Sequence, residues 1–229
     1  PKSDFRFELI LSKPEVSFIC EVKKASPSKL IISNQFPYKE IARQYEEAGA
    51  DAISVLTEPK WFLGSDEYLS EIRKEVSLPI LRKDFTVDAY QIYEAKLLGA
   101  DAVLLICAIL NTKTIHDYLQ ICEELGLSAI VEAHEEAEIT SAIKAGAKII
   151  GVNNRNLKNF TVNFQNCTSL RKYIPEHILF VAESGVKTAE DVASLANAGA
   201  NAILIGETLM RSNQKKELLH TFRKAAQTS

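Results

Sequence analysis

No apolar run in the chain approaches the roughly 18 residues that a membrane span needs. No CxxC pair occurs. The four cysteines, Cys20, Cys107, Cys122 and Cys167, are widely spaced and read as reduced thiols of a cytoplasmic protein. No charged-then-apolar leader opens the sequence, so secretion is not indicated. GxGxxG, Walker and HExxH signatures are all missing, which removes the common dinucleotide, nucleotide-triphosphate and zinc-hydrolase readings. His116, His134, His177 and His220 show no ligand spacing, so no metal is expected. A net charge of −3 gives no bulk attraction to nucleic acid. No Pro/Gly/Ser linker or low-complexity tract divides the chain. With 46% hydrophobic and 25% charged residues, it reads as one domain over 1–229.

What the sequence does contain is eight short apolar runs, at 17–23, 52–58, 79–85, 102–109, 128–134, 149–155, 178–184 and 202–208. Most begin aliphatic and end in charged or hydrogen-bonding residues. Helical stretches lie between them. Ile41 and Tyr45 mark 37–48, and a stripe from Ile115 to Leu125 marks 112–125. Asp88 and Gln91 open 88–98 as a variant capping box, and Thr188 with Asp191 gives a weaker start signal. Buried parallel strands have this composition. Eight units in 229 residues leave about 29 residues each, close to one βα repeat. The expected fold is therefore α/β, a single-domain (β/α)₈ TIM barrel. An internal repeat agrees with that count. AGADAISVL, LGADAVLLI, AGAKIIGVN and AGANAILIG begin at Ala48, Leu98, Ala145 and Ala198. Glycine there is expected to end a helix in the left-handed conformation, and alanine to let the chain turn into the next strand. The motif is structural, and it marks units two, four, six and eight.

The active rim of such a barrel is where the strands end. Residues two apart on a strand share a face, so Glu21 with Lys23, and Asn153 with Arg155, are expected to point into the mouth. A lone Glu–Lys pair would read as a solvated salt bridge. Further ionisable groups at the ends of other strands, Lys83, Glu132 and Glu183, favour a site. Lys23, Lys83 and Arg155 suit an anionic substrate, and Glu21, Glu132 and Glu183 suit proton transfer. Gly185 and Gly206 follow the last two strands, with a short turn from Glu207 to Arg211 behind them. Loops in this position commonly hold phosphate. The KKASPSK segment after the first strand, with Ser26, Ser28 and Lys29 around Pro27, reads as a substrate-contacting loop. His134, beyond Glu132, reads as an orienting or surface group, and His116 and His220 as surface groups on helices.

Taken together and in order, EVKKASPSK, ISVLTEPKWFLGS, LPILRKDF, IVEAH, GVNNRNL, VAESGV and LIGETLM resemble the indole-3-glycerol-phosphate synthase family over roughly residues 17 to 211. The resemblance implies a barrel enzyme of tryptophan biosynthesis. Its reaction cyclises 1-(2-carboxyphenylamino)-1-deoxyribulose 5-phosphate to indole-3-glycerol phosphate, with loss of CO₂ and water and with no cofactor. It implies Lys83 as general acid on the ketone, with a lowered pKa, and Lys23 as partner of the substrate carboxylate and candidate second acid. Glu132 would be the general base and Glu21 the other proton-transfer carboxylate. Asn153 and Arg155 would orient the anthranilate part, and Glu183 and Ser184 would line the mouth. Ser26, Gly185, Gly206 and Glu207 would form the phosphate site, Glu207 through its backbone. The division of acid roles between Lys23 and Lys83 stays open. Fusion to, or association with, other tryptophan-pathway enzymes is compatible with this reading. Family members usually have glycine where Leu30 stands. They also carry a helical extension of about 40 residues before the first strand, which leads to the expectation that the extension is absent here. Two rivals stand beside this reading. One is a Schiff-base aldolase using Lys83, and the other is a barrel that binds sugar phosphates without turnover.

Overall fold

Eight parallel strands close on one another in chain order in the computed structural model, which describes residues 5–26, 30–31, 36–155 and 161–227. They are β1 (Ser17–Val22), β2 (Ala52–Leu56), β3 (Ile80–Lys83), β4 (Ala102–Ile106), β5 (Ser128–Ala133), β6 (Ile149–Asn153), β7 (Leu179–Glu183) and β8 (Ala202–Ile205). Closure is made by β8 against β1, with Ser17 opposite Ala202 and Cys20 opposite Ile205. Helix α1 (Arg6–Leu11) precedes the barrel. Then α2 (Tyr38–Glu47), α3 (Asp66–Glu75), α4 (Tyr90–Leu98), α5 (Thr112–Leu125), α6 (Glu136–Ala145), α7 (Gln165–Leu170) and α8 (Ala189–Asn197) connect successive strands. A short α9 (Glu207–Arg211) and the outer α10 (Lys215–Gln227) follow β8. This is the TIM barrel that the spacing of the apolar runs predicts. The strands stop up to three residues earlier than those runs.

Strand parity sorts the side chains into two layers. Phe18, Cys20 and Val22 face the helices, as do Ala129, Val131, Ala133, Phe180 and Ala182. Ile19, Leu81, Ile130, Ile149 and Val181 fill the barrel interior. Two residues further along the same faces stand Glu21, Lys83, Glu132, Gly151 and Glu183. The interior is therefore apolar at its N-terminal end and ionic at its C-terminal end. Arg82 has the opposite parity. Its buried guanidinium bonds Asp66 and Glu94 at 2.8 Å each, tying β3 to α3 and α4.

The repeated AGA motif has a double function. At Gly49, Gly99, Gly146 and Gly199 φ lies between 81° and 93°. The next N–H reaches back five residues, as in Ala50 to Tyr45 O and Ala147 to Ala142 O, both 3.0 Å. This is the Schellman geometry that ends a helix. In three of the four copies the following acid or amide then accepts the N–H of a residue at the start of the preceding barrel strand. Asp51 takes Phe18 N at 2.9 Å, and Asp101 takes Ile80 N and Asn201 takes Phe180 N, both at 2.8 Å. Lys148 stands at the remaining position and pairs with Glu123 instead.

Helix α1 carries no start or stop signal of the kind read along the rest of the chain. Phe7 and Leu11 are fully buried and join the interior cluster from below, and Glu8 N donates to Ser128 Oγ at 3.2 Å. The helix is a plug in the end of the barrel opposite the charged mouth. Phe7→Ala is expected to cost about 3–5 kcal/mol, as phenylalanine truncation in a packed interior does. Activity per folded molecule should stay at the parent level. Urea unfolding with parallel kinetics checks this, and an unchanged midpoint would show that the plug bears no load.

Candidate active site at the barrel mouth

The ionic ends of the strands enclose a cavity of about 890 Å³. All twelve residues singled out from the sequence line it: Glu21, Lys23, Ser26, Lys83, Glu132, Asn153, Arg155, Glu183, Ser184, Gly185, Gly206 and Glu207. Of the first loop, Ala25–Ser26 pairs with Leu30–Ile31 as a short antiparallel ribbon. Pro27, Ser28 and Lys29 lie outside the described residues, as do Asn156 and Leu157 of the NNRNL stretch.

Lys83 is the hub. Its Nζ stands 2.7 Å from Glu183 and 3.2 Å from Glu132, carboxylates that arrive from β7 and β5. Their side chains are 1% and 2% exposed. Burial alone would lower the Lys83 pKa, but Glu183, Glu132 and Glu21 together hold it well above the ordinary lysine value. The expectation of a lowered pKa is corrected for the substrate-free site, because charge neutralisation exceeds desolvation. Burial pushes the Glu183 carboxyl up to about 7, with Lys83 opposing and Glu132 adding to the rise. At Glu132 burial also raises, yet Lys83, His134 and the Asn153 amide prevail and its pKa falls below the usual value.

A second pair, Lys23 on Glu21 at 2.5 Å, lies beside the hub. It fits only because residue 206 lacks a Cβ, which would collide with the Glu21 carboxylate and lie 2.8 Å from Lys23 Nζ. Gly151 is the matching case, since a Cβ there would run into the Glu183 carboxylate. Sequence reasoning missed Gly151, for the contact joins two strands remote in the chain.

Loop residues hold the rim. Asn154 donates to Ser184 O at 2.9 Å, and Ser184 adopts a left-handed φ of 67° that serine seldom takes. Asn166, from α7, donates to the carbonyls of His134 and Asn153 at 3.2 Å each. Thr208 Oγ1 donates to Val186 O at 2.5 Å, joining α9 to the loop after β7. Glu207 turns its carboxylate to Arg211 at 3.0 Å. Glu58 carries no proton-transfer geometry. Its carboxylate accepts the backbone N–H groups of Lys60, Trp61 and Phe62 at 2.6–2.9 Å and anchors the loop after β2. That loop and Phe85 supply an apolar wall, including a 55% exposed Trp61. Of these residues Ser184 and Glu207 were singled out from the sequence, whereas Asn166 was not, because its role rests on contacts across the chain.

The indole-3-glycerol phosphate synthase family model matches residues 1–222. Over 211 residues the chain is 61% identical to the indole-3-glycerol phosphate synthase of Ruminiclostridium cellulolyticum, covering 92% of this chain and 81% of that one. Over 220 residues it is 59% identical to the enzyme of the same description from Lacticaseibacillus casei, covering 96% and 85%. The chain belongs to the indole-3-glycerol phosphate synthase family. Its activity is that of the family, a decarboxylating lyase step of tryptophan biosynthesis. Among solved structures, 3-hexulose-6-phosphate synthase from Salmonella typhimurium superposes with a TM-score of 0.74 at 15% identity, covering 93% of this chain and 99% of that one. A thiamine phosphate pyrophosphorylase from Pyrococcus furiosus does so at 0.69 and 16%, covering 98% of each. At such identities these two share the fold alone. No helix of the described residues is long and apolar enough to cross a membrane, and no three His, Cys, Asp or Glu side chains among them are placed to hold a metal ion.

The Glu183 carboxyl gives a pH test. Between the ordinary 4.5 and about 7 the folded chain holds a proton that the unfolded chain has released. This group's contribution to stability is thus full below pH 4.5 and lost as pH rises through 7. Glu183→Gln removes the titration, so its stability relative to the parent is expected to rise from pH 4.5 to 7 and level off above. Urea titrations across pH 4–8 measure it, and a pH-independent difference would contradict the assignment.

Proposed function

We propose that Lys83 is the ring-closure acid of the indole-3-glycerol phosphate synthase reaction, with Glu132 as the base for the later dehydration. The observation that carries this reading is the position of Lys83 Nζ between two buried carboxylates at the centre of the mouth. The substrate is a 1-(2-carboxyphenylamino)-1-deoxyribulose 5-phosphate. The ring carbon that bears its carboxylate must attack the ketone, and the ketone oxygen gathers negative charge as the bond forms. A fully protonated ammonium aimed at that oxygen supplies the proton. Loss of CO₂ returns the electrons of the broken bond to the ring. The hydroxyl on the former ketone carbon then takes a proton, for which Lys23 is the candidate second acid, and leaves as water while the adjacent carbon gives up a proton to Glu132.

Lys23, paired with Glu21 at 2.5 Å, is the partner of the substrate carboxylate and candidate second acid. Asn153 and Arg155 orient the anthranilate ring against the apolar wall of Phe62 and Phe85. Glu183 keeps Lys83 aimed. The phosphate is assigned to Ser26, Gly185, Gly206 and the Glu207 backbone. The turn of the Glu207 carboxylate toward Arg211 supports this, because it relieves repulsion of the anion. Four free cysteines, three of them buried, support a cytoplasmic setting. In that setting association with other tryptophan-pathway enzymes is open to the chain.

The raised pKa of Lys83 speaks against the aldolase alternative, since a Schiff base needs a neutral amine. Lys83→Ala is expected to fold and to lower kcat by roughly 10²–10⁴, the range for losing a general acid. Lys23→Ala should raise KM as well. Steady-state assays of indole product with thermal melts test both. A folded Lys83→Ala enzyme of near-parent kcat would refute the acid role, and borohydride trapping of substrate on Lys83 would favour the aldolase. Separately, inorganic phosphate is expected beside Gly185 and Gly206 in a soaked crystal. Ordered phosphate elsewhere in the mouth, with that corner empty, would move the assignment.

A further inference from the structure

His134 does not line the cavity, yet it touches the proposed base. Glu138, in the first turn of α6, accepts the backbone N–H of His134 at 2.6 Å and lies 3.2 Å from Nδ1 with the same oxygen. Nδ1 therefore carries a proton. Nε2 stands 3.4 Å from Glu132 Oε1 and is buried with no hydrogen-bond partner among the described residues. As a bare lone pair it would face a carboxylate oxygen, two acceptors with no hydrogen between them. Burying polar atoms unpaired in this way is unfavourable. As N–H it completes a row of Glu138, imidazolium and Glu132.

We propose that His134 is a positioning residue for Glu132: anchored by Glu138, it presents a protonated Nε2 to Glu132 Oε1 and keeps that carboxylate ionised and in place. The inference rests on reading Glu132 as the base. Lys83 occupies the other oxygen of Glu132 at 3.2 Å, and Glu183 from β7 adds a third carboxylate facing the ring. Asn166 from α7 fixes the His134 carbonyl, and Cys107 Sγ bonds the Glu138 carbonyl at 3.5 Å. Burial would lower the imidazole pKa, but Glu138, Glu132 and Glu183 outweigh it and raise it. The arrangement has a consequence for turnover. When Lys83 gives its proton to the ketone, Glu132 loses one of its two cations. His134 remains, so the base is still ionised when dehydration requires it.

The test is the pH dependence of kcat in the parent, His134→Asn and Glu138→Gln, with Glu132→Gln as control. Asparagine can still meet Glu138 but cannot carry charge. The acidic limb of kcat is expected to move up by roughly one unit in His134→Asn, as for loss of a cation near a carboxylate. Glu138→Gln should move it the same way by less. KM should stay at the parent value in both, because neither side chain lines the cavity. An acidic limb that does not move in folded His134→Asn would overturn the proposal. If that variant does not fold, Glu138→Gln, which preserves the shape, decides in the same way. Near-parent kcat in Glu132→Gln would sink the role of Glu132 itself. An inactive Glu132→Gln beside an unmoved limb would sink only that of His134.

Discussion

The mouth of this barrel is organised by one ammonium held between two carboxylates that almost no solvent reaches. Removing a charge from water costs several kcal/mol per ion even after relaxation. Three glutamates, two lysines and a histidine therefore share a volume where each needs another. Lys83 neutralises Glu183 and Glu132, Lys23 neutralises Glu21, and His134 faces the other oxygen of Glu132. The scaffold supports this from all sides. The strands below are aliphatic, α1 seals the far end, and the loops above are fixed by Asn154, Asn166 and Glu58. A folded chain retains so expensive a cluster where charge must be pre-aimed at atoms that develop charge in a reaction.

The cluster also explains two glycines better than backbone freedom does. Gly151 and Gly206 stand where carboxylates from neighbouring strands pass, and a methyl group at either would meet a glutamate oxygen. Their absent side chains are part of the site's shape. Gly49, Gly99, Gly146 and Gly199 serve the chain direction instead, each turning a helix end toward its next strand. The same residue type thus answers to sterics at the mouth and to φ at the base.

Much of the fold and of the candidate site was legible because strand parity is a local rule. Once Ile19 faces inward, Glu21 must follow it, and the same holds for Leu81 with Lys83, Ile130 with Glu132 and Val181 with Glu183. Helix ends were legible for the same reason: Thr188 and Asp191 form the reciprocal cap that their spacing implies. What stayed hidden depends on contacts across the sequence. Gly151 matters through Glu183, Asn154 through Ser184 and Cys167, and Phe7 through the base of a barrel that must first close. Charge balance was hidden too. A lysine near carboxylates can shift either way, and only the 2.7 Å and 3.2 Å distances show that the carboxylates exceed burial at Lys83.

The barrels of 3-hexulose-6-phosphate synthase and thiamine phosphate pyrophosphorylase superpose on this one at 15–16% identity. The architecture therefore does not select the reaction. Selection lies in the last inward residue of each strand. A hydride or aldol step would use few of the groups present here. Ring closure followed by loss of carboxylate and water needs a proton donor, a base and separate places for two anions, and it needs them in sequence within one closed volume. On the proposed roles Lys83 and Glu132, 3.2 Å apart, are the donor and the base. The cationic edge at Lys23 and Arg155 and the glycine turns at 185 and 206 are the places proposed for the two anions. In the proposed mechanism the order of events follows from electrostatics. While Lys83 is charged, Glu132 has two cations beside it. Once Lys83 has given up its proton, Glu132 keeps His134 as its neighbouring cation, and a carboxylate with one fewer cation beside it is a stronger base.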